Sequence, residues 1–418
     1  MSPAELTAAP SSSKPARTPA ARLYRAAGSL VVASLNRHRG ITGVHTHTHA
    51  LEHGLKTLGC GCAVISPFDQ SRLLWEGVFA LRPLVVGRVS RTAGIVWYRH
   101  WHEVALRRAL TAHLQNNPAD VVLAQCPVTA HAALHVREKL GLNFKITLVC
   151  HFNHSEAEEY RKSGDLPSEK AYQRMLEYEA AVLHDVDQVI YVSDWARQIV
   201  EQERNIHPRL GNVIHNGIPE LTERQSVTRQ ELGLSPQDLV LINVGTLEPR
   251  KNQIGLIDLF EKIAAKHEKA KLVLVGAGHQ RSEIEAKIGK KNLGGKVKLL
   301  GSRSDVAELL ALSDLYLHYA KLENCPVVLL ECARAGLAFA AVAAGGIPEL
   351  QRETGVDLAL DPNDLDRSMA VLSPVLTDQA HRLALGRKAR AAFLSKFTTE
   401  AMAKAYLNAL GLSSEPRG

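Results

Sequence analysis

The sequence predicts an α/β protein of two doubly wound parallel-sheet domains that face one another across a cleft. Apolar strand-like runs and helical runs alternate from residue 29 to 216, and again from 239 onward. Between the two series lies GIPELTERQSVTRQELGLSPQD (217–238), rich in turn residues and poor in apolar ones. A length of 418 residues also exceeds one typical core, so two domains of roughly 150–200 residues each are expected. Two such domains joined by a linker place a ligand at their interface.

Residues 1–26 are rich in Ala, Ser, Pro and Arg and read as a disordered basic tail, with a cleaved organelle transit peptide as the alternative. The first domain spans 27–216. SLVVASLN (29–36) is its first strand; it is too short for a secretory signal and runs into RHRGITG. Gly40 and Gly43 there can adopt backbone angles other residues resist, so this loop can approach a ligand closely. A helix follows to Gly59, then strand CAVIS (62–66) and helices between 70 and 115. Strand DVVLAQ (120–125), helix TAHAALHVREKL (129–140) and strand KITLVCH (145–151) come next, the last delivering His151 at its C-terminal end. A polar helical stretch covers 155–184. Strand QVIYVS (188–193) leads to helix WARQIVEQE, capped by Ser193 or Asp194. NVIHNG closes the domain.

After the linker, the second domain (239–396) has strands LVLINVG (239–245), KLVLVGAG (271–278), KVKLLG (296–301), DLYLHY (314–319) and AFAAVA (338–343). The stretch 376–412 is helical, broken near Phe397, Thr398 and Thr399, and 397–418 forms a separate terminal segment.

Two places carry the chemistry. In DLYLHYAKLENCPVVLLECARAGLAFAAVAAGGIPEL (314–350), strand ends deliver Glu323, Glu331 and Gly-rich turns to one edge. Pro326 suits the first helical position, which sets the amides of Asn324 and Cys325 at a positive helix end fit for a phosphate. Carboxylates do not bind phosphate, so the two glutamates point to hydroxyls; a phosphate joined to sugars matches the mixture. In LINVGTLEPRKNQIG (241–255), Arg250 and Lys251 sit where a helix begins, unfavourable for cations unless an anion lies between them. A solvated basic turn is the plainer reading of that segment.

LVLVGAGHQR (272–281) lacks the third glycine of a dinucleotide fingerprint and reads as a close strand-to-helix turn. His45, His49 and His53 share a helix face and, without an H-E-x-x-H pattern, form a polar face at the cleft rather than a metal site. Residues 71–114 interleave Arg72, Arg82, Arg88, Arg91, Arg99, Arg107 and Arg108 with Trp75, Phe79, Trp97, Tyr98 and Trp101. That mixture suits an anionic membrane surface; core aromatics with solvated arginines fit it equally, and no nucleic-acid motif supports a third reading. A net charge of +7 and a pI near 9.0 favour anionic partners. Apolar content of 45% and charged content of 22% are those of a soluble protein, and no run is long enough for a membrane helix. The six cysteines, without a C-x-x-C pair, read as reduced and structural. Absence of G-x-S-x-G and Walker lysine patterns argues against covalent hydrolases and P-loop enzymes.

Taken together, VGTLEPRKN (244–252), LVLVGAG (272–278) and the E-x7-E pair Glu323–Glu331 with the GGIPEL that follows resemble the family-4 retaining glycosyltransferases. VCH (149–151), DQVIYVSDWA (187–196) and VIHNGIP (213–219) extend the resemblance over nearly the whole chain after the tail. It implies the GT-B fold, two Rossmann-like domains across a cleft, with a nucleotide sugar on the second. Arg250 and Lys251 would hold the diphosphate, Glu323 the sugar hydroxyls and Glu331 the ribose. Gly245, Thr246, Gly276, the amides near Asn324, Cys325 and Pro326, and the Gly40–Gly43 loop would line the donor. His151 would lie near the transferred sugar, and the last helix would cross back to the acceptor-binding first domain.

The implied reaction is retaining transfer of a hexose, mannose or glucose, to a glycan or polyprenyl-linked acceptor in surface polysaccharide synthesis. It would proceed without metal or other cofactor, in the cytoplasm or at the inner membrane face, with no nucleic-acid partner. A GT-B sugar-nucleotide epimerase and a non-catalytic carbohydrate-binding protein are the alternatives. The chain departs from the family's pattern at Thr246, where many members have Arg, and at Asn324, Ala320 and Ala338, where Gly, Ser and Pro are usual. His318 and Lys321 add polar groups to the same turn.

Overall fold

The computed structural model describes residues 29–36, 43–69, 90–221 and 227–413. Its first sheet comprises β1 (Leu30–Ala33), β2 (Cys62–Ile65), β3 (Val121–Ala124), β4 (Lys145–Cys150), β5 (Gln188–Tyr191) and β6 (Gly211–Val213) in the order β2-β1-β3-β4-β5-β6. The second comprises β7 (Leu239–Val244), β8 (Ala270–Val275), β9 (Val297–Gly301), β10 (Leu315–His318), β11 (Phe339–Val342) and β12 (Ala359–Leu360) in the order β12-β11-β10-β7-β8-β9. Every pairing is parallel. A parallel sheet must be covered on both faces, which is why its strands are apolar at consecutive positions. In β1 the alternation is literal: Leu30 and Val32 pack on one face of the sheet, Val31 and Ala33 on the other.

The order of the second sheet reverses between β7 and β10, paired at Leu241–Leu315. The first reverses between β1 and β3, paired from Leu30–Val121 to Ala33–Ala124. In open α/β sheets the crevice outside the C-terminal strand ends at such a reversal is where ligands bind. The loops that leave β7 and β10 contain Arg250, Lys251 and Glu323.

The helical stretch 155–184 is two helices, Glu156–Lys162 and Glu169–Asp185, because Gly164 (φ +78°) and Pro167 end the first turn series and Ser168 caps the second. Ser193 caps the helix Asp194–Gln198, its hydroxyl accepting from the Ala196 amide, and one π-turn, Ile199–Glu203, follows. The two-residue β12 and the helix Leu365–Thr377 carry weak sequence signals: one is too short to show a period, the other contains Pro374.

The chain passes between the domains twice at one place. The Ile218 amide donates to the Phe397 carbonyl (2.9 Å), and the Thr399 amide to the Ile218 carbonyl (3.2 Å). From there the terminal helix, Thr399–Leu410, packs on α1 (Gly43–Thr57) of the first domain. The approach is close because position 54 has no side chain: a Cβ on Gly54 would sit 2.2 Å from the Thr399 carbonyl oxygen and 2.9 Å from Ala403 Cβ. Gly54→Ala is therefore expected to cost about 1–3 kcal/mol by overpacking and to lower the thermal unfolding midpoint by several degrees. An unchanged midpoint would mean that this seat yields freely.

Candidate active site

At the reversal of the second sheet, β7 runs into Gly245 and then a turn that holds Arg250 and Lys251 just before the helix Gln253–Lys266. Asn252, in the left-handed region at φ +55°, starts that helix. The aliphatic stem of Lys251 crosses Gly245, within 3.6 Å of where a Cβ would be. Beneath them, Gly276 at φ +141° brings the turn after β8 so close that a Cβ there would fall 2.0 Å from the Gly245 carbonyl oxygen. The incomplete fingerprint LVLVGAG thus builds a tight backbone floor under the first turn. The Thr246 carbonyl is held by Gln253 Nε2 at 3.1 Å.

The turn after β10 brings a carboxylate to these cations. Glu323 Oε1 accepts from Arg250 Nη1 at 3.0 Å and from Lys251 Nζ; Arg250 Nη2 donates to Glu248 Oε1 at 3.0 Å. Burial alone would raise the Glu323 carboxyl, but the Lys251 and Arg250 cations hold it below the usual carboxylate range. The backbone around it is locked. The Glu323 carbonyl accepts from the Gly346 amide at 2.9 Å, and a Cβ on Gly345 (φ +65°) would collide with that same oxygen at 2.1 Å. Pro326 is the cap of the helix Val327–Ala335, one residue before the first helical position, with Val327 as the first helical residue.

Glu331, inside that helix, makes no hydrogen bond or ion pair among the described residues. Burial raises its carboxyl and the Arg334 guanidinium only partly offsets this. A partly buried carboxylate with open acceptor sites suits hydroxyl donors.

Across the cleft, His151 follows β4. Its Nε2 lies 2.8 Å from Gln125 Oε1, at the end of β3, and its ring meets His47 edge-on at 4.6 Å. Burial and the His47 ring push its pKa well down, so it is neutral. His47, on α1, is also neutral, held to about 4 by burial against a raising bond from Asn216. Its tautomer follows from its partners. Asn216 Nδ2 donates to the Cys325 carbonyl (3.2 Å), so Asn216 Oδ1 faces His47 Nδ1 at 3.0 Å and accepts from it. His47 Nε2 then accepts from the Tyr406 hydroxyl at 3.3 Å.

Asn324 has a structural task. Buried at 5% exposure, its Nδ2 donates to the Phe152 carbonyl at 2.9 Å and its Oδ1 accepts from the Ser193 hydroxyl. Glu349 adds a second tie: its Oε2 accepts from the Asp194 amide (2.8 Å) and its Oε1 lies 2.7 Å from His215 Nε2. The turns after β10 and β11 are thereby bonded to the first domain at Phe152, Ser193, Asp194 and His215.

Family profiles described as "Glycosyltransferase Family 4" and "Glycosyl transferases group 1" match residues 41–220 and 225–392, consecutive segments that together take in both sheets. The chain belongs to glycosyltransferase family 4. Among its relatives, the N-acetyl-alpha-D-glucosaminyl L-malate synthase of Bacillus anthracis is 28% identical over 178 residues, 43% of this chain and 46% of that protein. The lipopolysaccharide glucosyltransferase WaaG of Escherichia coli K12 is 27% identical over 172 residues, 41% and 46% of the two chains. The matched stretch thus spans about half the length of these relatives. Solved structures share the GT-B fold. HepE of Anabaena in complex with UDP-glucose superposes with a TM-score of 0.66 at 17% identity, over 92% of this chain and 99% of that one. The sucrose-phosphate synthase of Thermosynechococcus elongatus gives 0.67 at 18%, over 91% and 97%.

In this family-4 chain, Arg250, Lys251, Glu323, Gly245, Thr246 and Gly276 lie together. Asn324, Cys325 and Pro326 form the rim that meets the first domain. Gly40 falls outside the described residues. Gly43 is the first residue of α1, and no described atom lies within 4 Å of where its Cβ would be. Of the α1 histidines, His47 is the one turned inward; His45 and His49 border a small polar cavity of about 190 Å³ with Ser34, Asn36, Thr48 and Glu52. Among the described residues, no three His, Cys, Asp or Glu side chains are grouped to hold a metal. All six cysteines are free. In the basic aromatic stretch, Arg99 pairs with Glu156 and Arg107 with Glu103; positions 70–89 lie outside the described residues. Sequence reasoning assigned no role to Gln125, Asn216, His215 or Glu349; the motifs VIHNGIP and GGIPEL contain the last three and were the available signal.

His47, His151 and His318 are all neutral and depressed in the folded state. The folded protein therefore binds fewer protons than the unfolded chain below pH 6.5, and stability falls as pH drops toward about 4. For His47 alone the loss reaches about 3 kcal/mol near pH 4. Thermal midpoints measured from pH 7.5 to 4.5 should decline, and His47→Gln, which keeps a donor to Asn216, should flatten part of the decline. An identical slope in that variant would remove His47 from the account.

Proposed function

We propose that the protein is a retaining glycosyltransferase that moves a hexose, of glucose or mannose type, from a nucleoside-diphosphate sugar to a glycan or polyprenyl-linked acceptor of a surface polysaccharide. The observation that carries this is the convergence of Arg250 and Lys251 on Glu323 at the strand-order reversal of the second sheet. Two cations held by one internal carboxylate form a site an entering diphosphate can take over, with more anionic oxygens than Glu323 offers. Glu323 then faces the sugar hydroxyls, and Glu331, with its unused acceptor positions, the ribose.

In the reaction the bond from the anomeric carbon to the leaving phosphate oxygen breaks as the acceptor oxygen bonds to the same face of that carbon. The acceptor's proton passes to the leaving phosphate. The protein supplies positioning and charge: Arg250 and Lys251 stabilise the departing diphosphate, which is where most of the barrier lowering in such a step arises, and no metal is required. His151, neutral and oriented by Gln125, borders the transferred sugar without serving as a base. The polar cavity at Ser34, His45 and Glu52 lies at the end of β1, on the side of the reversal in the first sheet where acceptor hydroxyls would enter.

Purified protein incubated with UDP-, GDP- and ADP-sugars and lipid-extracted acceptors should transfer sugar with retention, and EDTA should leave the rate unchanged. Lys251→Ala and Glu331→Ala should each lower turnover by about a hundredfold or more while the thermal midpoint stays within a few degrees. Full activity in both variants would sink the assignment; conversion of the sugar nucleotide without acceptor would identify an epimerase instead.

Peripheral contact with an anionic membrane completes the reading. Its support is the net charge of +7 and the helix Arg91–Leu114, where Val96 is 57% exposed beside Trp97. Sedimentation with vesicles containing acidic phospholipid should carry the protein down at low salt and release it at high salt; no difference from neutral vesicles would remove the membrane from the proposal.

A further inference from the structure

His318 ends β10, directly before the turn that carries Glu323, and is 1% exposed. Its Nδ1 lies 3.3 Å from the Tyr316 hydroxyl, which donates to the Val244 carbonyl at 3.2 Å. With the tyrosine proton committed to that carbonyl, Tyr316 Oη accepts from His318 Nδ1–H. The other ring nitrogen, Nε2, is then an unprotonated lone pair, and it has no hydrogen-bond partner. An orphaned buried polar atom is costly and calls for a reason.

The surroundings supply one. The charged groups that act on the ring are Glu323 from its own turn and Lys251 and Arg250 from the turn after β7; Tyr316 is its neighbour on the strand, itself near Glu331 and Cys332 of the helix Val327–Ala335. Without ligand, both cations rest on Glu323. A bare lone pair near two cations is electrostatically tolerable, and burial with those cations lowers the ring's pKa to about 4, so it is neutral near pH 7. An arriving diphosphate reverses the balance. Arg250 and Lys251 turn to phosphate oxygens, and Glu323 is left as a carboxylate of 12% side-chain exposure with its backbone pinned by Gly345 and Gly346. Sugar hydroxyls alone compensate a buried carboxylate less well than the two cations did. Glu323 already acts on the ring electrostatically, and a proton from solvent placed on the partnerless Nε2 offsets its charge and gives that nitrogen a hydrogen to donate.

We propose that binding of the sugar nucleotide is coupled to uptake of one solvent proton by His318, which replaces Arg250 and Lys251 as the partner of Glu323; this rests on the donor site assigned above. The imidazolium then fixes the carboxylate for the sugar hydroxyls, and the proton returns to solvent when the nucleoside diphosphate leaves and the cations fall back on Glu323. His318 is a positioning residue in this scheme. It acts on the sugar through Glu323.

Titration calorimetry at pH 6.0 in buffers of different ionisation enthalpy reads the proton directly. UDP-glucose, GDP-mannose and ADP-glucose are the probes, since their phosphodiester groups do not titrate near neutrality. Wild-type protein should take up close to one proton per sugar nucleotide bound, and affinity should fall by up to about tenfold per pH unit as pH rises toward the raised value of the complex. His318→Gln, whose amide can donate to Glu323 but not titrate, should keep binding within a few-fold, take up no proton and show no such pH slope. Absence of uptake in the wild type overturns the coupling, whatever the variant does. Unchanged uptake in His318→Gln overturns the assignment to His318 and moves the proton to Glu323. If none of the three probes binds, the donor-site reading fails; binding without protons fails only the coupling.

Discussion

One line of hydrogen bonds sets the relation between the two sheets: Tyr406 hydroxyl to His47, His47 to Asn216, Asn216 to the Cys325 carbonyl. It starts on the terminal helix, passes through the first helix and the interdomain crossing, and ends on the turn that follows Glu323. Every donor and acceptor in it is buried, so each link must be made or its atoms pay the desolvation cost. It works with one tautomer of a neutral histidine. Burial supplies that neutrality, and the line in turn seats the terminal helix where Gly54 leaves room for it.

With the domains so held, the second sheet presents its reversal to the first. The cations come from the turn after β7 and the carboxylate from the turn after β10, strands that are neighbours in the sheet although some seventy residues separate them in the chain. The Gly276 and Gly345 approaches fix both turns at backbone level. Charge is therefore concentrated where the scaffold is least compliant, and electrostatic preorganisation of a leaving group needs that combination. The same rigidity explains why Glu323 cannot follow its cations when they change partners, and why a neighbouring imidazole matters.

Much of the fold was legible from the chain. Parallel strands buried on both faces write continuous apolar runs, and β7, β8 and β10 are such runs; β12, with two residues, is not. The family was legible because several short motifs recur in order. Parts of the site were legible for a local reason: Arg250 and Lys251 stand at a helix start, against the preference of the helix dipole, and that conflict marked them. Asn324 was not. It stands where the family usually has glycine, and its amide spans the cleft to Phe152 and Ser193. Nothing in residues 320–326 reports what lies on the opposite domain. On α1, spacing groups His45 with His49, which border the polar cavity, while packing against Tyr406 and Asn216 turns His47 inward.

The α/β class, the two series of strands, the family and the charged residues that distinguish it are all written in the chain. They rest on local periodicity, turn chemistry and motif order, which are properties of short segments. Which charges meet is a matter of tertiary structure. It put Glu323 on Arg250 and Lys251, left Glu331 and one nitrogen of His318 without partners among the described residues, and assigned Asn216, His215 and Glu349 to the join between domains. Those facts depend on strand order and on the close approach of two domains. Neither quantity can be read from the spacing of residues along the chain, because partners far apart in sequence are brought together by the burial of faces that carry no charge.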